Sequence, residues 1–217
     1  MIILTFDTTM STCSALIQNN GIIVSKFNQT VIHGQSELIL SAIEEILRSA
    51  KINYFDIDKV GVTLGPGSFT GIRVGIATAR ALGLTNKIKC MGFSTTSILA
   101  REALIRCAKK PKPIAVVIDA RREEVYFQRF NKESLPIEGP RCLLPRETAE
   151  IINSDDYYLI GDKIDKILPF LNSQPEYHIT DSPDMGILAD IIHNNINIHT
   201  EIKPLYVRPP DTKTPTR

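Results

Sequence analysis

Tryptophan is absent and only 6% of the 217 residues are aromatic, so the chain has few of the rings on which unpaired RNA bases stack. Neither sign of charge prevails. Lysine and arginine number 25 against 24 aspartates and glutamates, and a net charge of +1 offers no global basic field to nucleic acid. Any RNA contact must then be local or borrowed from a partner. The four cysteines, Cys13, Cys90, Cys107 and Cys142, are scattered with no CxxC pair, which argues against a zinc ribbon and a disulfide scaffold and leaves reduced thiols as the reading. The histidines, His33, His178, His193 and His199, nowhere stand four residues apart, so no metal site is expected. No stretch approaches the ~20 apolar residues of a membrane span, and Met1–Phe6 runs into Asp7 with no basic region or cleavage signal. A cytoplasmic protein is the expectation.

With 43% hydrophobic and 23% charged residues, the composition is that of a globular chain, and at ~150 residues per domain the length allows one large or two small domains. Ile2–Phe6, Cys13–Ile17 and Ile22–Phe27 read as an antiparallel meander, turned at Thr8–Thr12 and Asn19–Gly21. Leu38, Ile39, Ala42, Ile43, Ile46, Leu47 and Ala50 recur at helical spacing and predict a helix from about Gly34 to Lys51. A strand at Lys59–Leu64, a small-residue helix at about Phe69–Leu84, a strand at Lys89–Phe93 and a helix from Ser94 to about Lys110 follow. Lys109–Pro113 reads as a linker.

Beyond it the pattern restarts. Ile114–Asp119 repeats the form of Ile2–Asp7, its aspartate 112 positions after Asp7, and a polar turn and a strand at Val125–Phe130 follow. Helices at Glu147–Ile152 and Asp165–Leu171 then alternate with strands at Tyr157–Ile160 and Tyr177–Thr180, before a helix at Pro183–Asn194 capped by Ser182 and an extended tail after Pro204. Three antiparallel strands followed by helix, strand, helix and strand is the order of a ribonuclease-H-like lobe. The predicted fold is α/β: two such lobes in the actin-like ATPase architecture, duplicated mixed sheets flanked by helices, with domains 1–110 and 111–217.

Chemistry could reside in few places. Asp7 with Thr8 and Thr9 stands where an actin-like enzyme presents hydroxyls, amides and a metal-bridging carboxylate to phosphate, yet the same residues satisfy a tight hairpin by themselves and include no glycine for close approach. Asp119 begins the equivalent turn of the second lobe, which Arg121, Arg122, Glu123 and Glu124 fill with bulky charges. Gly65, Gly67 and Ser68 open a helix after a strand, as an anion site would, although the stretch matches neither standard nucleotide fingerprint. Gly71, Gly75, Thr78, Ala79 and Leu82 form one flat face of that helix, suited to close packing within the chain or across an interface. A two-metal nuclease would need a carboxylate where the fourth strand ends in Gly65-Pro66-Gly67, and that reading falls away.

Three stretches, Ile3–Thr9, Gly65–Gly75 and Asp119–Tyr126, resemble those of the TsaB (YeaZ) family, the actin-like accessory subunits of the bacterial machinery that makes N6-threonylcarbamoyladenosine next to the tRNA anticodon. The resemblance extends to about Phe130. It implies a non-catalytic scaffold or activator that docks the catalytic subunit TsaD and with it the TsaE ATPase, reaches tRNA through the complex, and pairs with a second copy when alone. TsaD carries metal-binding histidines after its glycine-rich helix, and Met91–Ala100 here contains none, so neither metal nor metallopeptidase activity is implied. No cofactor is required, ATP or ADP entering only in the assembled complex; Asp7, Thr8, Thr9, Gly65, Gly67, Ser68 and Asp119 are the candidates for a weak nucleotide or anion cleft. The docking face implied comprises Leu38, Ile39, Ala42 and Ile46 of the first helix and Gly71, Gly75, Thr78, Ala79 and Leu82 of the second. The competing expectation is a free-standing actin-like ATPase or phosphotransferase using Asp7. An RNA-binding module is a third, which the near-neutral charge disfavours.

Overall fold

The computed structural model describes residues 1–31, 35–86, 88–196 and 201–208. Strands β1 (Ile2–Asp7), β2 (Thr12–Asn19) and β3 (Ile22–Thr30) form the meander; β4 (Lys59–Thr63) and β5 (Lys89–Phe93) add to it in parallel, giving the order β3-β2-β1-β4-β5. The second sheet repeats this plan. Strands β6 (Ile114–Asp119), β7 (Val125–Phe130) and β8 (Arg141–Leu143) are its meander, and β9 (Tyr158–Gly161) and β10 (Tyr177–Ile179) add in parallel beyond β6, so β8-β7-β6-β9-β10 matches the first sheet strand for strand. These are the two ribonuclease-H-like lobes of the actin-like architecture. Asp7 and Asp119 each close the central strand of a lobe.

Strand alternation sorts side chains between the two faces of each sheet. Leu4 and Phe6 of β1, with Val60 and Val62 of β4, meet helices α1 (Gln35–Ala50) and α2 (Phe69–Asn86), while Ile3, Leu16, Met91 and Phe93 face the other way onto helix α5 (Met185–His193). In the second sheet Ile114, Val116 and Ile118 pack on helix α3 (Thr95–Arg106). Ala115, Val117 and Phe127 pack towards helix α4 (Pro145–Ile152) and two short 3-10 turns. α3 and α5 also touch each other, between the sheets.

The boundary expected at 110/111 separates the strands but not the cores. α3 precedes it in sequence yet lies on the second sheet, and α5 follows it yet covers the first. Local patterning gives an amphipathic helix a period and no address. Asp165–Leu171, expected as a helix, is instead the two 3-10 turns Ile164–Lys166 and Leu168–Phe170, with Pro169 in the second. Strand β8 went unread, being three residues long with no alternation to show. Helix α5 is capped by Asp184, whose carboxylate accepts from Gly186 N at 2.7 Å, and not by Ser182. His33, Gly34, His199 and the tail beyond Arg208 lie outside the described residues.

Candidate functional site

Asp7 is fully buried at the end of β1. Its Oδ1 accepts from Thr9 N at 3.1 Å, from Thr9 Oγ1 at 2.6 Å and from Thr63 Oγ1 at the end of β4. Burial pushes its carboxyl pKa up, the hydrogen bonds from Thr63 and Thr9 opposing. Thr9 Oγ1 also lies 3.0 Å from Thr95 Oγ1 at the start of α3, and Thr8 Oγ1 donates to Gly71 O at 2.7 Å. Both threonine hydroxyls are thus committed to the chain itself.

The glycine loop closes over the same turn. Ser68 N donates to Thr9 O at 2.6 Å, and a Cβ at Gly67 would stand 2.2 Å from that oxygen, so only glycine lets the two backbones meet. Gly65 takes φ +100°, open to glycine and strained for any other residue, and the Gly65–Pro66 peptide is cis. An actin-like nucleotide site would present hydroxyls and amides to phosphate at this turn; here the Thr8 and Thr9 hydroxyls and the Thr9 amide are bonded within the chain, and the loop backbone takes the Thr9 carbonyl. These residues do not fit a phosphate grip.

Across a cleft of about 390 Å³ stands the turn of the second lobe: Pro66, Gly67 and Phe69 line one wall and Ala120, Arg121 and Arg122 the other. Asp119 Oδ1 accepts from Arg121 N at 3.1 Å, and this Asx turn holds Arg121 at φ +63°. Lys166 Nζ lies 3.4 Å from Asp119 Oδ1 and donates to Arg122 O at 2.8 Å. Asp162 Oδ1 accepts from Asp119 N at 2.9 Å, and burial first, with the nearby Asp119 charge adding, pushes the Asp162 carboxyl up to about 6.

The cleft is roofed by a segment no local signal marked. Leu205 N donates to Leu64 O, Tyr206 stacks on Phe69 with centroids 4.8 Å apart, and Arg73 lies 3.7 Å above the Phe69 ring while donating to Tyr206 OH at 3.0 Å. Two residues on, Arg208 pairs with Glu124 and reaches Cys142 Sγ at 3.2 Å on the second lobe. Residues 201–208 therefore strap one lobe to the other.

The seven cleft residues expected from sequence fall in two groups. Asp7, Thr8, Thr9, Gly65, Gly67 and Ser68 converge on one turn, and Asp119 belongs to the facing one. The docking face needs correction. Ile39, Ala42, Ile46, Gly71, Gly75, Thr78, Ala79 and Leu82 are buried within the chain, and Leu38 packs partly on the same core. Gly75 looks at Thr8 Oγ1 and Val62, not at solvent. Two helices lying side by side on a five-stranded sheet need that whole apolar surface for themselves. Among the described side chains, what α1 and α2 leave exposed is chiefly polar, with Leu40 at 52% and Leu84 at 83% the large apolar exceptions. Sequence reading also missed Thr63 and Thr95, although the parallel β1–β4 register placing Phe6 beside Val62 makes a threonine at the end of β4 a natural partner for Asp7. Among the described residues no three His, Cys, Asp or Glu side chains are grouped to hold a metal ion.

A family model described as "TsaD: tRNA N6-adenosine threonylcarbamoyltransferase" matches residues 29–165, well over half the chain, taking in the glycine loop, the central strand of the second lobe and the turn that follows it. The chain belongs to this family. Within it the resemblance is to TsaB: the chain is 36% identical over 129 residues to the tRNA threonylcarbamoyladenosine biosynthesis protein TsaB of Buchnera aphidicola subsp. Schizaphis graminum. That match covers 59% of this chain and 60% of the relative, so the chain spans less than two thirds of the curated TsaB sequence it matches. YeaZ from Pseudomonas aeruginosa superposes with a TM-score of 0.79 at 20% identity, over 94% of this chain and 99% of that one. An activator of 2-hydroxyisocaproyl-CoA dehydratase from Clostridium difficile, with bound ADPNP, shares the fold at TM-score 0.56 and 10% identity, over 90% of this chain and 96% of that one. No helix among the described residues is long and apolar enough to cross a membrane.

Proposed function

We propose that this chain is the non-catalytic accessory subunit of the machinery that forms N6-threonylcarbamoyladenosine in tRNA, docking the catalytic TsaD subunit and with it the TsaE ATPase in the cytoplasm. One observation carries this reading: the first-lobe turn that would grip phosphate is closed by Gly67 and Ser68 against Thr9, with the Thr8 and Thr9 hydroxyls bonded to Gly71, Asp7 and Thr95. Without a grip on phosphate, two lobes and their helices remain useful as a surface. The chain requires no cofactor of its own, and ATP or ADP belongs to the assembled complex. It meets tRNA through its partners, as its net charge of +1 suits.

Docking on the α1–α2 side must use what those helices expose, Leu40 and Ser41 on α1 and Ala77, Ala81 and Leu84 on α2. The same side serves TsaD or, in the isolated chain, a second copy. Reconstitution tests the assignment: the modified nucleoside is measured with this chain, TsaD and TsaE together and with each omitted in turn, after gel filtration of the pairs. Co-elution with TsaD, and product lost whenever this chain is left out, support the scaffold. Sustained ATP hydrolysis by this chain alone, abolished in Asp7→Ala, would establish the free-standing ATPase or phosphotransferase instead.

A further inference from the structure

A second cavity, of about 230 Å³, opens at the junction of the lobes and shares no lining residue with the strapped cleft. Ser14 of β2 and Glu102 of α3 lie in its wall, with Lys26 of β3, Arg106 of α3 and His178 of β10. Two of its polar atoms are orphaned: Ser14 Oγ and Glu102 Oε2 are buried and bond to nothing among the described residues. Glu102 is not idle, for its Oε1 accepts from Arg106 Nε at 3.0 Å and Nη2 at 2.8 Å and lies 3.6 Å from His178 Nε2. Arg106 and His178 both lean on that one oxygen, while Oε2 is left buried and unpaired in a residue of the same wall as Ser14. Buried polar groups are almost always paired, and two in one cavity wall mark a place where something else supplies the partner.

The charges are graded with depth. Ser14 is 3% exposed and the Glu102 side chain 7%, whereas the Arg106 side chain is 43% exposed and Lys26 lies at the surface with no ion pair among the described residues; one carboxylate, Asp184, is exposed in the same lining, its Oδ1 taken by Gly186 N. A ligand fitting this gradient brings hydrogen-bond donors, best on a cationic nitrogen, to the bottom and an anion to the rim. The volume has room for a small ligand of several heavy atoms. We propose that this cavity binds a free α-amino acid, its ammonium group donating to Glu102 Oε2 and Ser14 Oγ and its carboxylate facing Lys26 and the outer edge of Arg106. Phe27, Pro183 and Met185 supply the apolar part of the wall for a small side chain. Nothing in the proposal depends on docking to TsaD.

Ligand-observed NMR on the intact chain, with the twenty free amino acids as probes and their N-acetyl and carboxamide derivatives as controls, tests it. Saturable binding of at least one small amino acid is expected, weakened tenfold or more both by N-acetylation and by amidation of the carboxylate. Ser14→Ala and Glu102→Gln should each lower that affinity by tenfold or more. Lys26→Gln, at an exposed position that cannot disturb the core, should lower it several-fold, and keeps the test decisive if a buried variant fails to fold. Absence of saturable binding by every amino acid at millimolar concentration would leave a hydrated cavity and overturn the proposal. Equal binding of the N-acetyl or carboxamide derivative, or affinity unchanged in Lys26→Gln, would overturn it too.

Discussion

Asp7 looks, in the sequence, like the metal-bridging carboxylate of an actin-like enzyme, and its surroundings make it a structural acceptor. One oxygen gathers the Thr9 amide and the Thr9 and Thr63 hydroxyls, joining β1, its turn and β4 at one point. Asp7→Ala would strand those buried donors, and at ~1–3 kcal/mol for an unsatisfied buried group the expected loss is about 2–4 kcal/mol in urea unfolding at pH 7. Asp7→Asn keeps an acceptor and the shape while removing a buried charge, so its stability should stay within about 1 kcal/mol of the parent or exceed it. A loss in Asn as large as in Ala would show that the negative charge itself holds the turn. Asp162 makes a prediction about pH. Its carboxyl titrates at about 6 when folded, against 3.8 ordinarily, so between those values the folded chain keeps a proton that the unfolded chain has released. Stability from this group is therefore fully present below pH 3.8, falls as pH rises to about 6, and is level above it. At ~1.4 kcal/mol per pH unit the gap is worth about 3 kcal/mol. Asp162→Asn should flatten that slope and raise stability at pH 7 by up to this amount, as unfolding free energies measured from pH 4 to 8 would reveal; an unchanged slope would contradict the assignment.

Glycine carries opposite meanings along the elements of this chain. Gly67 sits against a backbone oxygen that cannot move without the β1–β2 turn, so Gly67→Ala should cost about 2–4 kcal/mol, whereas Gly139→Ala, with nothing within 4 Å, should change stability by less than ~0.5 kcal/mol. Gly75→Leu should lower the thermal midpoint sharply, because Thr8 Oγ1 would stand 2.8 Å from even a first carbon; an unchanged midpoint with lost TsaD association would restore the intermolecular reading. Much of this architecture was legible in advance. The Ile2–Asp7 and Ile114–Asp119 runs announced the duplication, because a buried central strand ending in a polar turn has a recognisable pattern. The width of the α1 stripe was legible too, but which surface it met was not: apolar periodicity records that a face is covered, and the cover proved to be the chain's own sheet and α2. For the same reason the places of α3 and α5, on the sheet of the other half, could not be read from their patterns.

At the scale of the whole molecule, two similar lobes are held by the inner helices and by the strap of residues 201–208. The strap's tie to the first lobe rests on Tyr206 against Phe69 and Arg73, and its tie to the second on Arg208 with Glu124. Aromatic stacking and a cation over a ring are each worth about 0.5–1.5 kcal/mol, so Tyr206→Ala should speed amide exchange at Leu205 and through the glycine loop by roughly tenfold while leaving the sheets protected. Exchange unchanged there would mean that the strap does not close the cleft. On the function proposed above, this chain contributes a surface and not an active site. The most direct measurement is the yield of N6-threonylcarbamoyladenosine by TsaD, TsaE and tRNA supplied with Asp7→Asn or with Leu84→Glu. The account predicts that Asp7→Asn stays within about twofold of the parent and that Leu84→Glu falls at least tenfold with its TsaD association; product abolished in a folded, TsaD-bound Asp7→Asn would contradict it.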